Sequence, residues 1–182
     1  MSETSGQVVA VAADDAHRFS KPTRDSVTLV AGLGIAGDAH AGATVQHLAP
    51  MARHPERQNV RQVHLIHEEL FEHTAARGHS VNPGDLGENI TTRGLDLLAM
   101  GRGTRLEFGS GAIVELTGLR NPCAQINGFS PGLMKELIYV DERGDTVRLV
   151  GVMSVVINGG EVRAGDRIRV IVPDVHEPLL PV

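Results

Sequence analysis

The chain has one cysteine, no tryptophan, one tyrosine and four phenylalanines, and aromatic residues make up 3% of its 182 positions. A single thiol excludes an intramolecular disulfide and any zinc centre built wholly or mainly from thiolates. It suits a reducing cytoplasm. Few aromatic rings leave few platforms for stacked nucleobases, and a net charge of −5 with a pI near 6.0 gives no overall attraction for a polyanion. Nucleic acid is not an expected partner. No apolar run approaches the roughly 18 residues of a membrane span, and the opening Met-Ser-Glu-Thr-Ser-Gly-Gln has no basic region followed by an apolar one. A soluble, unexported protein is expected.

What is present is an ordinary globular composition, 41% hydrophobic and 21% charged, whose core must be packed from Val, Leu, Ile and Ala. The length suits one domain over residues 1–182, with an N-terminal strand and link at 1–25 and an extended, proline-bearing tail at 173–182. Strands are expected at Val8 to Ala13, Ser26 to Ala31 and Arg61 to His67, and a helix at Glu68 to Arg77 closed by Gly78. Thr44 to Gln58, with two prolines, reads as a surface excursion that lids a pocket. From Asn82 onward glycine turns separate strands at Glu88 to Thr92, Thr104 to Phe108, Ala112 to Leu119, Val147 to Ile157 and Glu161 to Val172. Helical turns are expected at Cys123 to Asn127 and Gly132 to Val140. The fold class is therefore mainly β with flanking helices, a small closed or partly closed barrel.

Chemistry centres on Cys123, in Thr117-Gly-Leu-Arg-Asn-Pro-Cys-Ala-Gln-Ile126. A strand running into Pro122 at a first helical position would set the thiol against exposed helix amides, and Arg120 adds positive charge. Both favour thiolate, the form that attacks carbon or sulfur and ligates soft metals. The alternative for a lone cysteine is a small buried hydrophobe. Gly32, Gly34 and Gly37 match a GxGxxG spacing, but no Gly-Lys-Ser/Thr ending or ribose-binding acid accompanies them. That loop instead brings Asp38 and His40 toward a ligand. His64 and His67 fall on opposite faces of a strand, which argues against a two-histidine metal site and leaves them surface or capping roles. Arg61, Arg93 and Arg120 each lie beside a strand end, where guanidinium forks meet phosphate or carboxylate; Glu88 and Asn89 can point into the same mouth.

Taken together, Gly37-Asp38-Ala-His40, Arg61-Gln-Val63 with Glu68, Pro83-Gly-Asp-Leu-Gly-Glu-Asn-Ile90, the Arg120-Asn-Pro-Cys123 run, and Gly151-Val-Met-Ser-Val-Val with Gly160-Glu-Val-Arg-Ala-Gly-Asp166 resemble the MOSC domain. This is the β-barrel unit related to the C-terminal part of molybdenum cofactor sulfurase. The resemblance implies a MOSC-type barrel with flanking helices, and a cysteine, matched by Cys123, that carries sulfur or ligates the molybdenum of the pterin cofactor. The phosphate of such a pterin would need donors, for which Arg61, Arg93 and Arg120 are the candidates, with Asn89, Asn121 and Glu88 as neighbours, and His40 or Asp38 can manage a proton.

Stand-alone members resemble reductases of N-hydroxylated bases and amidoximes that take electrons from a separate protein. The alternatives are a carrier that passes sulfur from a Cys123 persulfide, supplied by a sulfur donor, and a small-ligand barrel without chemistry. The chain has no room for the pyridoxal phosphate-dependent half of full-length sulfurases, so that cofactor is not expected. One cysteine cannot hold a [2Fe-2S] cluster. The sequence departs from many stand-alone members after Ala41, where a histidine-glycine-glycine segment is replaced by Ala-Gly-Ala-Thr-Val-Gln.

Overall fold

The computed structural model describes residues 5–46 and 48–182, with backbone alone for 48–50. Residues 1–4, where the leader reading began, and His47 lie outside them. The first half contains β1 (Ser5–Ala12), β2 (Thr23–Arg24), β3 (Ser26–Val30), β4 (Gly34–Ile35), α1 (Leu48–Arg53), β5 (Val63–His67), α2 (Glu69–Ala75) and β6 (Ile90–Arg93). After a 3-10 turn at Leu97–Ala99 come β7 (Arg105–Phe108), β8 (Ile113–Leu119), α3 (Gln125–Phe129) and α4 (Leu133–Leu137). A hairpin of β9 (Ile138–Val140) and β10 (Thr146–Arg148) precedes β11 (Val152–Asn158), β12 (Gly160–Arg163) and β13 (Arg167–Ile171).

Pairing in the order β13-β7-β8-β11-β5-β6-β1, with β1 returning to β13, closes a barrel of seven strands. Closure leaves no unpaired edge. Among these contacts only β5 and β6 run parallel. A parallel pair needs a crossover, and α2 with the loop that follows it supplies one. The loop that ends this crossover carries Glu88 and Asn89.

Alternation along β5 sorts two layers. Val63 and Leu65 join Val114, Leu116, Val152, Val156 and Ile168 inside the barrel, while Ile66 joins Leu70, Leu86, Ile126, Leu133, Leu137 and Val150 beneath the helices. Because β5 lies between β11 and β6 and is covered on both sides, its residues from Val63 to Ile66 are all buried. His64 therefore points to the outer wall, under the helical layer, not to solvent.

Three expected elements divide differently. The strand at Val147 to Ile157 is β10 and β11, parted by Gly151 at φ +73°. Glu161 to Val172 is β12 and β13, parted by a turn in which the Asp166 amide donates to the Arg163 carbonyl and Gly165 takes φ +94°. Gly132 to Val140 starts as α4 and finishes extended as β9. The excursion at Thr44 to Gln58 is tied by a bridge between those two residues and contains α1. The tail is extended but docked, with bridges Gly101 to Pro178 and Leu119 to Pro181. Among the described residues no helix is long and apolar enough to cross a membrane.

Gly151 matters to the site because its carbonyl accepts the Arg120 amide, at 3.0 Å. A Cβ added there would lie 2.0 Å from the Leu65 carbonyl oxygen, on a backbone that L side chains rarely adopt. Gly151→Ala should cost at least about 2 kcal/mol, since the left-handed conformation alone costs about 1 to 2. Urea unfolding checks this: the midpoint should fall clearly, and an unchanged midpoint would show that the strand break tolerates a side chain.

Candidate functional site

A cavity of about 400 Å³ opens against the outer wall of the barrel, roofed by the segments that follow β1, β4, the α2 crossover and β8. Its floor is set by register. His64 of β5 and Met153 of β11 are direct cross-strand partners, and both side chains line the cavity. β8 delivers the rest: the Arg120 amide pairs with Gly151, and the chain then turns through Asn121 and Pro122, placing Arg120, Asn121 and Cys123 on one rim.

Cys123 is half-buried, with its sulfur 3.9 Å from a terminal nitrogen of Arg120 and 3.6 Å from Oε1 of Gln125. The expected helix start lies slightly downstream, since α3 begins at Gln125 and has five residues. So short a helix presents little dipole, and the nearest positive charge is the guanidinium of Arg120. That guanidinium also donates to the Asn121 carbonyl. Asn121 in turn accepts from Arg148 at 3.3 Å, which ties the β9–β10 hairpin to the rim.

Arg61 faces the same cavity. Burial lowers its pKa, and the charges of Arg120 and Arg57 lower it further. Among the described residues neither Arg61 nor Arg120 has a carboxylate partner. In a chain of net charge −5, two guanidinium groups that share a cavity with a thiol and have no acidic partner among the described residues have the chemistry to attract an anion.

The opposite wall is built around Asp38, whose side chain is 1% exposed. One oxygen accepts from Lys21 Nζ at 2.8 Å, from Asn89 at 3.1 Å and from the Asp14 amide at 3.3 Å. The other accepts from the His40 amide at 2.9 Å and His40 Nδ1 at 3.3 Å. Burial by itself would raise the pKa of Asp38. The His40 side chain, the Lys21 charge and hydrogen bond, and the His40 amide outweigh it and hold the carboxyl well below the usual range. Being ionised, Asp38 can only accept, so Nδ1 of His40 carries a proton, and the ring so held lines the cavity. Lys21 lines the cavity too; desolvation pushes its pKa down, partly offset by Asp38, Glu88 and Asp14.

His64 donates from Nε2 to the Val150 carbonyl at 2.7 Å, a bond that fixes its tautomer. Complete burial, then the charge of Arg120, push its pKa down to about 3, against a smaller opposing effect of the Val150 and Gly87 backbone. The fold thus holds a neutral imidazole there. Because the unfolded ring takes its proton near pH 6.5 and the folded ring does not, stability falls as pH drops from about 6.5 toward 3. The slope is at most about 1.4 kcal/mol per pH unit. His64→Gln should flatten that part of the curve in urea unfolding at a series of pH values; an unaltered slope would assign it to other groups.

Of the residues expected from sequence, Cys123, His40, Arg61, Arg120, Asn121 and Asn89 line the cavity, with Asp38 directly behind His40. Two are elsewhere. Arg93 is exposed at the end of β6 and pairs with Glu68, so its charge is spent at the barrel's surface. Glu88 is fully buried below the loop, accepting from the Gly84 amide at 2.7 Å and the Thr91 hydroxyl at 3.3 Å. Desolvation raises its pKa, which suits a structural acid beneath the loop and not a ligand group in the cavity. Sequence reasoning missed Lys21, His64, Met153 and the wall formed by His17, Arg18 and Phe19. Among the described residues no three His, Cys, Asp or Glu side chains cluster to hold a metal ion.

Residues 40–169 match the MOSC domain. The chain belongs to the MOSC domain family. A curated relative, YuaD of Bacillus subtilis (strain 168), is 33% identical over 150 residues, 75% of this chain and 76% of YuaD; its name assigns it provisionally to metal-sulfur cluster biosynthesis. The crystal structure of Bacillus subtilis YuaD superposes on this MOSC domain with a TM-score of 0.74 at 24% identity, covering 93% of this chain and 97% of the other. YiiM from Geobacillus stearothermophilus gives 0.65 at 15% identity, over 96% and 80% of the two chains. Such identities establish the MOSC barrel as the shared fold. The match begins at His40, so the cavity wall from His17 to Lys21 precedes the matched span.

Proposed function

We propose that this MOSC domain holds the molybdenum cofactor with Cys123 as a protein ligand to the metal and reduces N-hydroxylated compounds. The observation that carries the reading is the half-exposed sulfur of Cys123 sharing a cavity with two guanidinium groups that have no acidic partner among the described residues. The donor set fits that cofactor: a thiolate suits a soft metal already held by sulfur, and Arg61 and Arg120 suit the phosphate of the pterin. Asn89 and Asn121 offer neutral donors beside them. When bound, the cofactor supplies the two electrons of the reduction.

Reduction of an N–OH group to N–H consumes two electrons and two protons and releases water, so a proton must reach the departing hydroxyl. His40 is the residue suited to relay it: Asp38 holds Nδ1–H, so the ring lining the cavity can take a proton from solvent at its second nitrogen and pass it to the departing hydroxyl. Asp38 itself, enclosed by five donors and ionised, orients without exchanging the proton. Electrons come from a separate donor protein, and a reducing cytoplasm keeps the thiol competent.

A second reading has its own support. The provisional assignment of YuaD to metal-sulfur cluster biosynthesis, beside the half-buried thiol here, favours a carrier in which the Cys123 thiolate takes the outer sulfur of a donor protein's persulfide and the donor leaves as its thiolate. Protein purified without oxygen separates the two. Stoichiometric molybdenum, with turnover of an amidoxime by an artificial electron donor, supports the reductase; a persulfide mass on the Cys123 peptide without metal supports the carrier; neither leaves a binding barrel.

A further inference from the structure

Lys21 is a buried titratable group that the reaction just described leaves without a task. Its side chain is 4% exposed, it lies before the residues matched to the family, and it lines the cavity all the same. A buried Lys–Asp pair is a weak source of stability, because desolvating two charges offsets most of their attraction and an apolar pair of similar volume does as well. Here the pair is also placed where it bears on a third group. Lys21 and Asn89 bind one oxygen of Asp38, which turns the other oxygen onto the amide and Nδ1 of His40.

We propose that Lys21 is a positioning residue for His40: by neutralising Asp38 and holding it turned, Lys21 keeps the His40 ring in its Nδ1–H form. Without the ammonium, a buried Asp38 has two ways to relieve its charge. It can take a proton and donate it to Nδ1, which reverses the tautomer, or it can draw a second proton onto the ring. Either way the singly protonated Nδ1–H ring is lost. This inference rests on the reductase reading only for the purpose of the proton, not for the geometry.

The test reads the ring directly, in cofactor-free full-length protein labelled with 15N-histidine, with His40 assigned by His40→Gln and spectra taken where the wild-type ring carries one proton. Wild type should show that proton on Nδ1, and Lys21→Met should lose the form. A wild-type ring protonated on Nε2, or a folded Lys21→Met protein whose ring is unchanged, overturns the proposal. If Lys21→Met does not fold, the pair Lys21→Arg and Lys21→Gln decides: the cation should keep the Nδ1–H form and the neutral amide should lose it, and identical spectra for both overturn it. In protein that turns over, Lys21→Met should lower kcat at least about tenfold with KM within about twofold, the pattern of a lost proton-transfer geometry. Absence of turnover in wild type would sink the reductase reading and leave the ring measurement standing.

Discussion

On the proposed reductase reading, Cys123→Ser should fold as the wild type does and lose both the molybdenum and the turnover. The sulfur is half-buried on a rim, its contacts are Arg120 and Gln125, and the substitution leaves no cavity in either hydrophobic cluster. Stability should therefore stay within about 0.5 kcal/mol of wild type. Loss of outer partners of a metal ligand typically costs 10- to 100-fold, so losing the ligand itself should cost more than about 100-fold in metal content or rate. Serine offers a hard oxygen where a soft donor is needed. Metal analysis, turnover with an artificial electron donor and urea unfolding on one preparation give the three numbers. A Cys123→Ser protein that keeps molybdenum and turnover would sink the ligand assignment, whereas one that unfolds would show that the sulfur is part of the packing.

The barrel was legible because local rules suffice for it. Alternating apolar residues and glycine turns marked most strands of the closed sheet, and a central strand such as β5 declared itself by its apolar positions. What escaped is what depends on a single backbone position. Gly151 breaks a continuous β-rich stretch, and a pattern of side chains carries no sign of the positive φ that makes the break. The same holds for the site. Cys123, Arg120 and Arg61 stand out in the sequence because each residue type announces its chemistry, and His40 because it follows a glycine-rich turn; all four line one cavity.

His64 and Lys21 were not found, for opposite reasons. The strand alternation that put His64 and His67 on opposite faces was sound, but the helical layer over the outer wall, which makes that face an interior, is a tertiary fact. Lys21 sits between Ser20 and Pro22 in a polar link, and only pairing with Asp38, 17 residues away, takes it out of water. Arg93 and Glu88 show the converse: a strand-end arginine is satisfied by Glu68 across the surface, and a glutamate in a glycine-rich loop is folded beneath it.

Asp38→Ala should be the most destabilising change in the cavity wall. It would strip an acceptor from Lys21, Asn89, the Asp14 amide and His40, and would leave the Lys21 ammonium, 4% exposed, buried without a counter-charge. Breaking one side of such a pair costs about 3 to 5 kcal/mol. Removing both charges should cost less than removing one, so Asp38→Ala with Lys21→Met should recover part of the loss in urea unfolding. Acid supplies an internal control whose sign is fixed. Because folding lowers the pKa of Asp38, its contribution is complete above about pH 4, where the unfolded carboxylate is ionised, and is lost as pH falls below that. The gap between wild type and Asp38→Ala should accordingly hold constant near neutrality and narrow only under stronger acid. A double variant no more stable than Asp38→Ala, or a gap that ignores pH throughout, would mean that the five hydrogen bonds, and not the charge pair, hold this wall together.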